Sequence, residues 1–98
     1  MNSIICQAIR ERRLLRLNYD PGSRTIEPHA HGESKDGNEL LRAYQTAGAS
    51  ASGEHENWKL FRVDRITSLE LLAERFAGPR TGYNPDDPAM KGGVFCHL

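Results

Sequence analysis

Residues 14 to 31 constrain the fold more tightly than any other part of the chain. LLRLNY sets Leu15, Leu17 and Tyr19 against Arg16 and Asn18, the two-residue period of a strand with one buried face. DPGS then supplies turn chemistry, and RTIEPHAH returns with β-branched residues at its start, so the stretch predicts a hairpin. Pro28 has no amide hydrogen to offer a ladder, which restricts it to a sheet edge, a bulge or a strand end. Here it is expected to mark the exit of the second strand.

The alternation continues downstream. Lys35-Asp36-Gly37-Asn38 is a turn signal, and ELLRAYQT follows as a third strand, with Leu41 and Ala43 on one side and Leu40, Arg42 and Tyr44 on the other. AGASASGEHEN is small, polar and glycine-containing and predicts a mobile loop. WKLFRV forms a fourth strand, with Phe61 and Val63 on one face and Trp58, Leu60 and Arg62 on the other; Asp64 and Arg65 make a corner into ITSLELL, the fifth. LELLAERF also has helix-forming content, but the preceding Ile-Thr favours strand. Upstream, SIICQAIRERR repeats Ile5, Ala8, Ile9 and Arg12 at helical spacing behind Ser3, a candidate N-cap.

These elements predict a mainly β domain with a leading α-helix. Five short strands close into a small antiparallel barrel that removes its own edges, with the helix plugging one end, over residues 1–76. Residues 77–98, rich in Pro and Gly, form an extended tail that docks back on the domain or on a second copy, since Val94 and Phe95 are costly to expose. A chain of 98 residues supports one core. Lys plus Arg and Asp plus Glu each number 13, which argues against a bulk polyanion binder and leaves local cationic clusters open. With no continuous apolar run, the chain is expected to be unexported and cytoplasmic, without membrane contact. In a reducing compartment Cys6 and Cys96 are then expected as buried free thiols.

Few motifs announce chemistry. His29-Ala30-His31 would put two imidazoles on one strand face, as some zinc and copper sites require, and Cys96 and His97 could approach in space. No further ligand lies at a convincing spacing, so no metal or other cofactor is expected. Tyr83-Asn84-Pro85-Asp86-Asp87 lacks the alternation of a calcium loop and is read as a turn. Arg10, Arg12, Arg13 and Arg16 gather near a helix C-terminus, where the macrodipole alone favours cations. Ser50 and Ser52 lie in the mobile loop without an evident base, so no enzyme is expected.

Lys59 followed by Leu60-Phe61-Arg62-Val63-Asp64-Arg65-Ile66 resembles the closing signature of the WYL domain, a bacterial ligand-sensing module with a small Sm-like, Src-homology-3-like barrel. AIRERRLLRLNYD resembles that family's opening helix and first strand, IEPHAHG its second strand, and GNELLRAYQ stands where the naming triplet lies. Two departures are plain: Glu39-Leu40-Leu41 replaces Trp-Tyr-Leu, and Lys59 replaces the first arginine of the closing signature. The family's usual winged helix has no counterpart here, so the resemblance implies a stand-alone sensor. It implies recognition of an anionic effector, single-stranded nucleic acid or a nucleotide, in transcriptional or defence regulation. The residues carried over are Arg62 and Arg65, Arg42 and Tyr44, and Tyr19 and His29, with the two closing arginines emerging together. Two other classes remain: an oligomerising interaction subunit, such as a homodimer, whose arginines are structural, and a small hydrolase.

Overall fold

The computed structural model describes residues 2–98. Helix α1 (Asn2–Glu11) leads into β1 (Arg13–Tyr19), β2 (Gly22–Glu33), β3 (Glu39–Gly48), β4 (Asn57–Arg62), a 3-10 turn (Val63–Arg65) and β5 (Ser68–Arg75); β6 (Gly93–His97) closes the chain. Ser3 lies within the helix and does not cap it. Arg12, at φ 53, adopts the left-handed conformation that ends it. The β1–β2 hairpin turns through a cis Asp20–Pro21 peptide.

All strand pairs are antiparallel, in the order β4-β3-β2-β1-β5, with β6 added to β2. Among the described residues the expected barrel closure is not made: β4 and β5 stand at opposite ends of the pairing order, and the sheet has six strands. The sixth strand joins because β2 runs past Pro28 to Glu33 instead of leaving the sheet there. β1 pairs only with residues 22–26 of it, so the far part, from Ala30 to Glu33, is free to take β6. Gly32 permits the close approach, because a Cβ there would sit 2.4 Å from the carbonyl oxygen of Gly93.

Pro28 is accommodated by a bulge, marked by the register shift between Pro28 and Ala30 against β3. His29 is the extra residue. Pro28 pairs with Ala43 and His31 with Leu41, both facing the core, whereas Glu27 and Ala30 pair with Tyr44 and Arg42 on the opposite face. The bulge therefore breaks the alternation that would have put His29 and His31 on one face.

On the helix side of the sheet, Ile5 and Ile9 of α1 pack with Leu15, Leu17, Ile26, Leu41 and Phe61, all at most 2% exposed. Burying such a side chain contributes about 1.5–3 kcal/mol, so this face dominates stability. β5 is a strand because Leu69 and Leu71 pair across to Leu17 and Leu15, tertiary packing that outweighs its helix-forming content. A smaller cluster of Ala30, Leu40 and Met90, with Tyr83 and Ala89, lies under the tail on the other side.

The cysteines are not free thiols. β6 comes to rest against α1 and brings the Cα atoms of Cys6 and Cys96 to 5.7 Å, and the two are joined in a disulfide. Docking of β6 leaves Val94 and Phe95 43% and 52% exposed. Among the described residues no helix is long and apolar enough to cross a membrane.

Candidate functional site

Register places the site. β3 and β4 pair Leu40 with Arg62, Arg42 with Leu60 and Tyr44 with Trp58, so these side chains share the face turned away from the helix. The tail crosses this face. Trp58 Nε1 donates to the Thr81 carbonyl at 3.3 Å, and its ring stacks on Tyr83 with centroids 6.2 Å apart. Arg42 donates to both carboxylate oxygens of Asp87, from Nε at 2.7 Å and Nη2 at 3.3 Å. Arg80 grips Glu27 in the same way, at 2.8 and 3.2 Å, while its guanidinium carbon lies 4.2 Å from the centre of the Tyr44 ring.

Between β3, β4 and the tail lies an open groove of ≈ 250 Å³, lined by Arg42, Trp58, Tyr83, Asn84 and Asp87 among others. That is just under the roughly 300–1,000 Å³ usual for small-molecule sites, room for one flat ring or one anionic group. Its electrostatics are largely set by internal pairs. Burial works to raise the Asp87 carboxyl, but the bonds from Arg42 and the Ala89 amide outweigh it and hold the group below the ordinary carboxylate value. The bond to Glu27 pushes Arg80 above its ordinary value. Burial raises Tyr83, whose hydroxyl is the one buried side-chain polar atom without a partner among the described residues.

The expected site residues fall into three groups. Arg42 and Tyr44 stand together on the tail-covered face. Arg62 shares that face at the far end of β4, where it donates to both oxygens of Asp64, at 3.2 and 2.8 Å, and to Asn38. Arg65 is exposed in the 3-10 turn, and among the described residues its side chain makes no hydrogen bond. The two closing arginines thus differ, one held by a carboxylate of its own chain and one facing solvent.

Tyr19 and His29 are built into the frame. The Tyr19 hydroxyl accepts from the Arg62 amide at 3.2 Å, and its ring meets Phe61 edge-on. Fully buried His29 donates from Nδ1 to the Glu27 carbonyl at 2.8 Å and accepts at Nε2 from the Arg80 amide at 3.0 Å. Trp58, Phe76 and Tyr83 surround the ring. Burial lowers its pKa, and the bond to Glu27 only partly offsets this, so the neutral form is favoured.

Lys59 Nζ donates to Ser50 Oγ at 3.0 Å and to Ser52 Oγ at 3.3 Å. These two bonds tie the loop after β3 to β4. Sequence reasoning missed Arg80, Tyr83, Asp87 and Glu27 as parts of this face. The tail shows no periodicity, and its single usable signal is the carboxylate pair Asp86-Asp87, a candidate partner for a cation on the sheet.

A family model described as WYL domain matches residues 2–71. No curated protein matches the chain in sequence. Among solved structures it is similar to "Proteasome accessory factor B/C (PafBC) of Arthrobacter aurescens", at 20% identity and a TM-score of 0.66. That similarity covers 87% of this chain and 13% of that one, and at this identity it speaks for the fold alone. The family match ends before the tail, so Arg80, Tyr83, Asp87 and Cys96 lie outside it.

Proposed function

Since the chain belongs to the WYL domain family, we propose that it is a regulatory ligand-sensing module whose effector is anionic and nucleic-acid-related, a nucleotide or a single-stranded segment, in transcriptional or defence regulation. The effector lies on the tail-covered face of β3 and β4. One observation carries this reading: Arg42 shares a groove with the rings of Trp58 and Tyr83, a planar cationic fork for phosphate oxygens beside aromatic faces for a base. Asp87 occupies that fork as an internal anion, so a phosphate competes with it and binding loosens the tail. The Tyr83 hydroxyl offers the entering group a further partner. Tyr44 supports the aromatic wall, and Arg62 and Arg65 extend the cationic path beyond it. Tyr19 and His29 hold the strands in place and act by position.

Titration with single-stranded DNA, RNA and nucleotides at low and physiological salt tests the reading. For a single strand the logarithm of affinity is expected to fall against the logarithm of salt with a slope of about −0.7 per phosphate neutralised. Arg42→Ala, Arg62→Ala and Arg65→Ala should each keep the fold and weaken binding, and Asp87→Asn should tighten it by removing the competitor. Binding that ignores all three arginines, or no binding to any of these probes, rejects it. Val94 and Phe95, exposed on β6, favour a second reading in which a copy of the chain covers this strand. Phe95→Ser would then lower the mass seen by light scattering and leave effector binding alone.

A further inference from the structure

We propose that Cys6, His31 and Cys96 form a zinc site when their disulfide is reduced, so that the link between α1 and β6 alternates between a covalent bond and a metal bridge. His31 is fully buried on the helix side of β2. Its Nε2 meets the Glu39 carboxylate at 2.5 Å, which leaves Nδ1 as the ring nitrogen that faces the sulfurs. Nδ1 lies 3.5 Å from Cys6 Sγ and 3.8 Å from Cys96 Sγ. A disulfide sulfur carries no proton, so neither can donate to it.

The three ligand atoms lie within 4.8 Å of one another. A tetrahedral zinc with bonds of about 2.3 Å to sulfur and about 2.0 Å to nitrogen spaces its ligands about 3.5 Å apart from S to N and about 3.8 Å from S to S. The nitrogen already holds that spacing from Cys6 Sγ and lies somewhat farther, at 3.8 Å, from Cys96 Sγ. Two thiolates, one imidazole and a fourth position open to solvent make a donor set suited to zinc. Glu39 on the far ring nitrogen is the carboxylate that orients a zinc-binding histidine. An open groove lined by Ile9, Arg10, Phe95, His97 and the two cysteines gives access from outside.

The chemistry balances with a dithiol as reductant. The dithiol passes two electrons and two protons to the Cys6–Cys96 bond, leaving as a cyclic disulfide and giving two thiols. Zn²⁺ then replaces both thiol protons, which go to solvent, and forms two Zn–S bonds and one Zn–N bond.

The full chain, reduced with a phosphine without added metal, is titrated with Co²⁺ and then Zn²⁺ while thiolate-to-cobalt charge-transfer absorption is followed. One equivalent should bind, Zn²⁺ should displace it, and the oxidised chain should give no such band. His31→Phe, which keeps a ring and removes the nitrogen, should abolish the tetrahedral spectrum, and Glu39→Gln should weaken binding about 10–100-fold. If reduction unfolds the chain, circular dichroism should show Zn²⁺ restoring it. A folded reduced chain that binds no Co²⁺, a His31→Phe variant that binds like the parent, or an unfolded reduced chain that Zn²⁺ does not rescue would overturn the proposal.

Discussion

On the tail side of β2, His29 has both ring nitrogens bonded to backbone atoms and aromatic rings around it, so every polar atom of the ring is spoken for. On the helix side, two residues on, His31 is equally buried but bonds a carboxylate with one nitrogen and faces a pair of sulfurs with the other. One strand thus holds a histidine bonded to backbone at both nitrogens and another set between a carboxylate and two sulfurs. The Pro28 bulge separates them. Burial alone says little about a titratable group; what each ring nitrogen meets decides its role.

The largest expected effect is on the helix side. Replacing Cys6 and Cys96 together with Ser removes a cross-link between residues 90 apart in sequence, and loops of that size contribute about 4–5 kcal/mol to stability under oxidising conditions. Urea unfolding of parent and variant measures it, and a difference under about 1 kcal/mol would show the link to be dispensable.

Next is His29→Ala, which strands the Glu27 carbonyl and the Arg80 amide and empties the aromatic box. A loss of about 2–4 kcal/mol is expected, with metal binding on the other side untouched. The pH dependence sharpens the contrast. His29 titrates below its ordinary 6.5 in the folded chain, so the unfolded chain takes up a proton first as pH falls. Its contribution is whole above pH 6.5 and is lost on descending from there through the lower folded value. Asp87 behaves likewise further down, whole above about pH 3.8 and lost below it as the carboxylate gripped by Arg42 takes its proton. Stability measured across acid pH should fall in these two windows, and the upper one should vanish in His29→Ala.

Arg42→Ala leaves a nearly buried carboxylate without its fork and should cost about 2 kcal/mol, read in the same unfolding experiment. Arg62→Ala should cost under about 1 kcal/mol, because its pair with Asp64 is largely exposed. A cost at Arg62 equal to that at Arg42 would erase the distinction drawn between the two ends of the tail-covered face.

The strands were legible because Leu15, Leu17, Leu41 and Phe61 keep a two-residue period between clear turn signals, and period 2 has one physical meaning. The corner at Asp64 and Arg65 was legible for the same reason. The bulge was not: Pro28 announced an irregularity, but an exit, an edge and an inserted residue look alike in sequence. With that insertion unseen, the faces of His29 and His31 could not be told apart. The disulfide was hidden because two cysteines so far apart carry no local signal and become neighbours only when β6 docks on β2. Arg42 and Tyr44 were named from resemblance and alternation, whereas Asp87 and Tyr83 reach them through a tail whose path is decided by contacts, not by any repeat.

Trp58 is the one tryptophan in the chain and forms a wall of the groove, so its fluorescence reports from the proposed site alone. Titration of parent and Arg42→Ala with a short single-stranded oligonucleotide at low salt is the most direct measurement. A saturable change is expected in the parent, much weaker in the variant and fading as salt rises. An unchanged signal in the parent, or the same curve for both proteins, would contradict it.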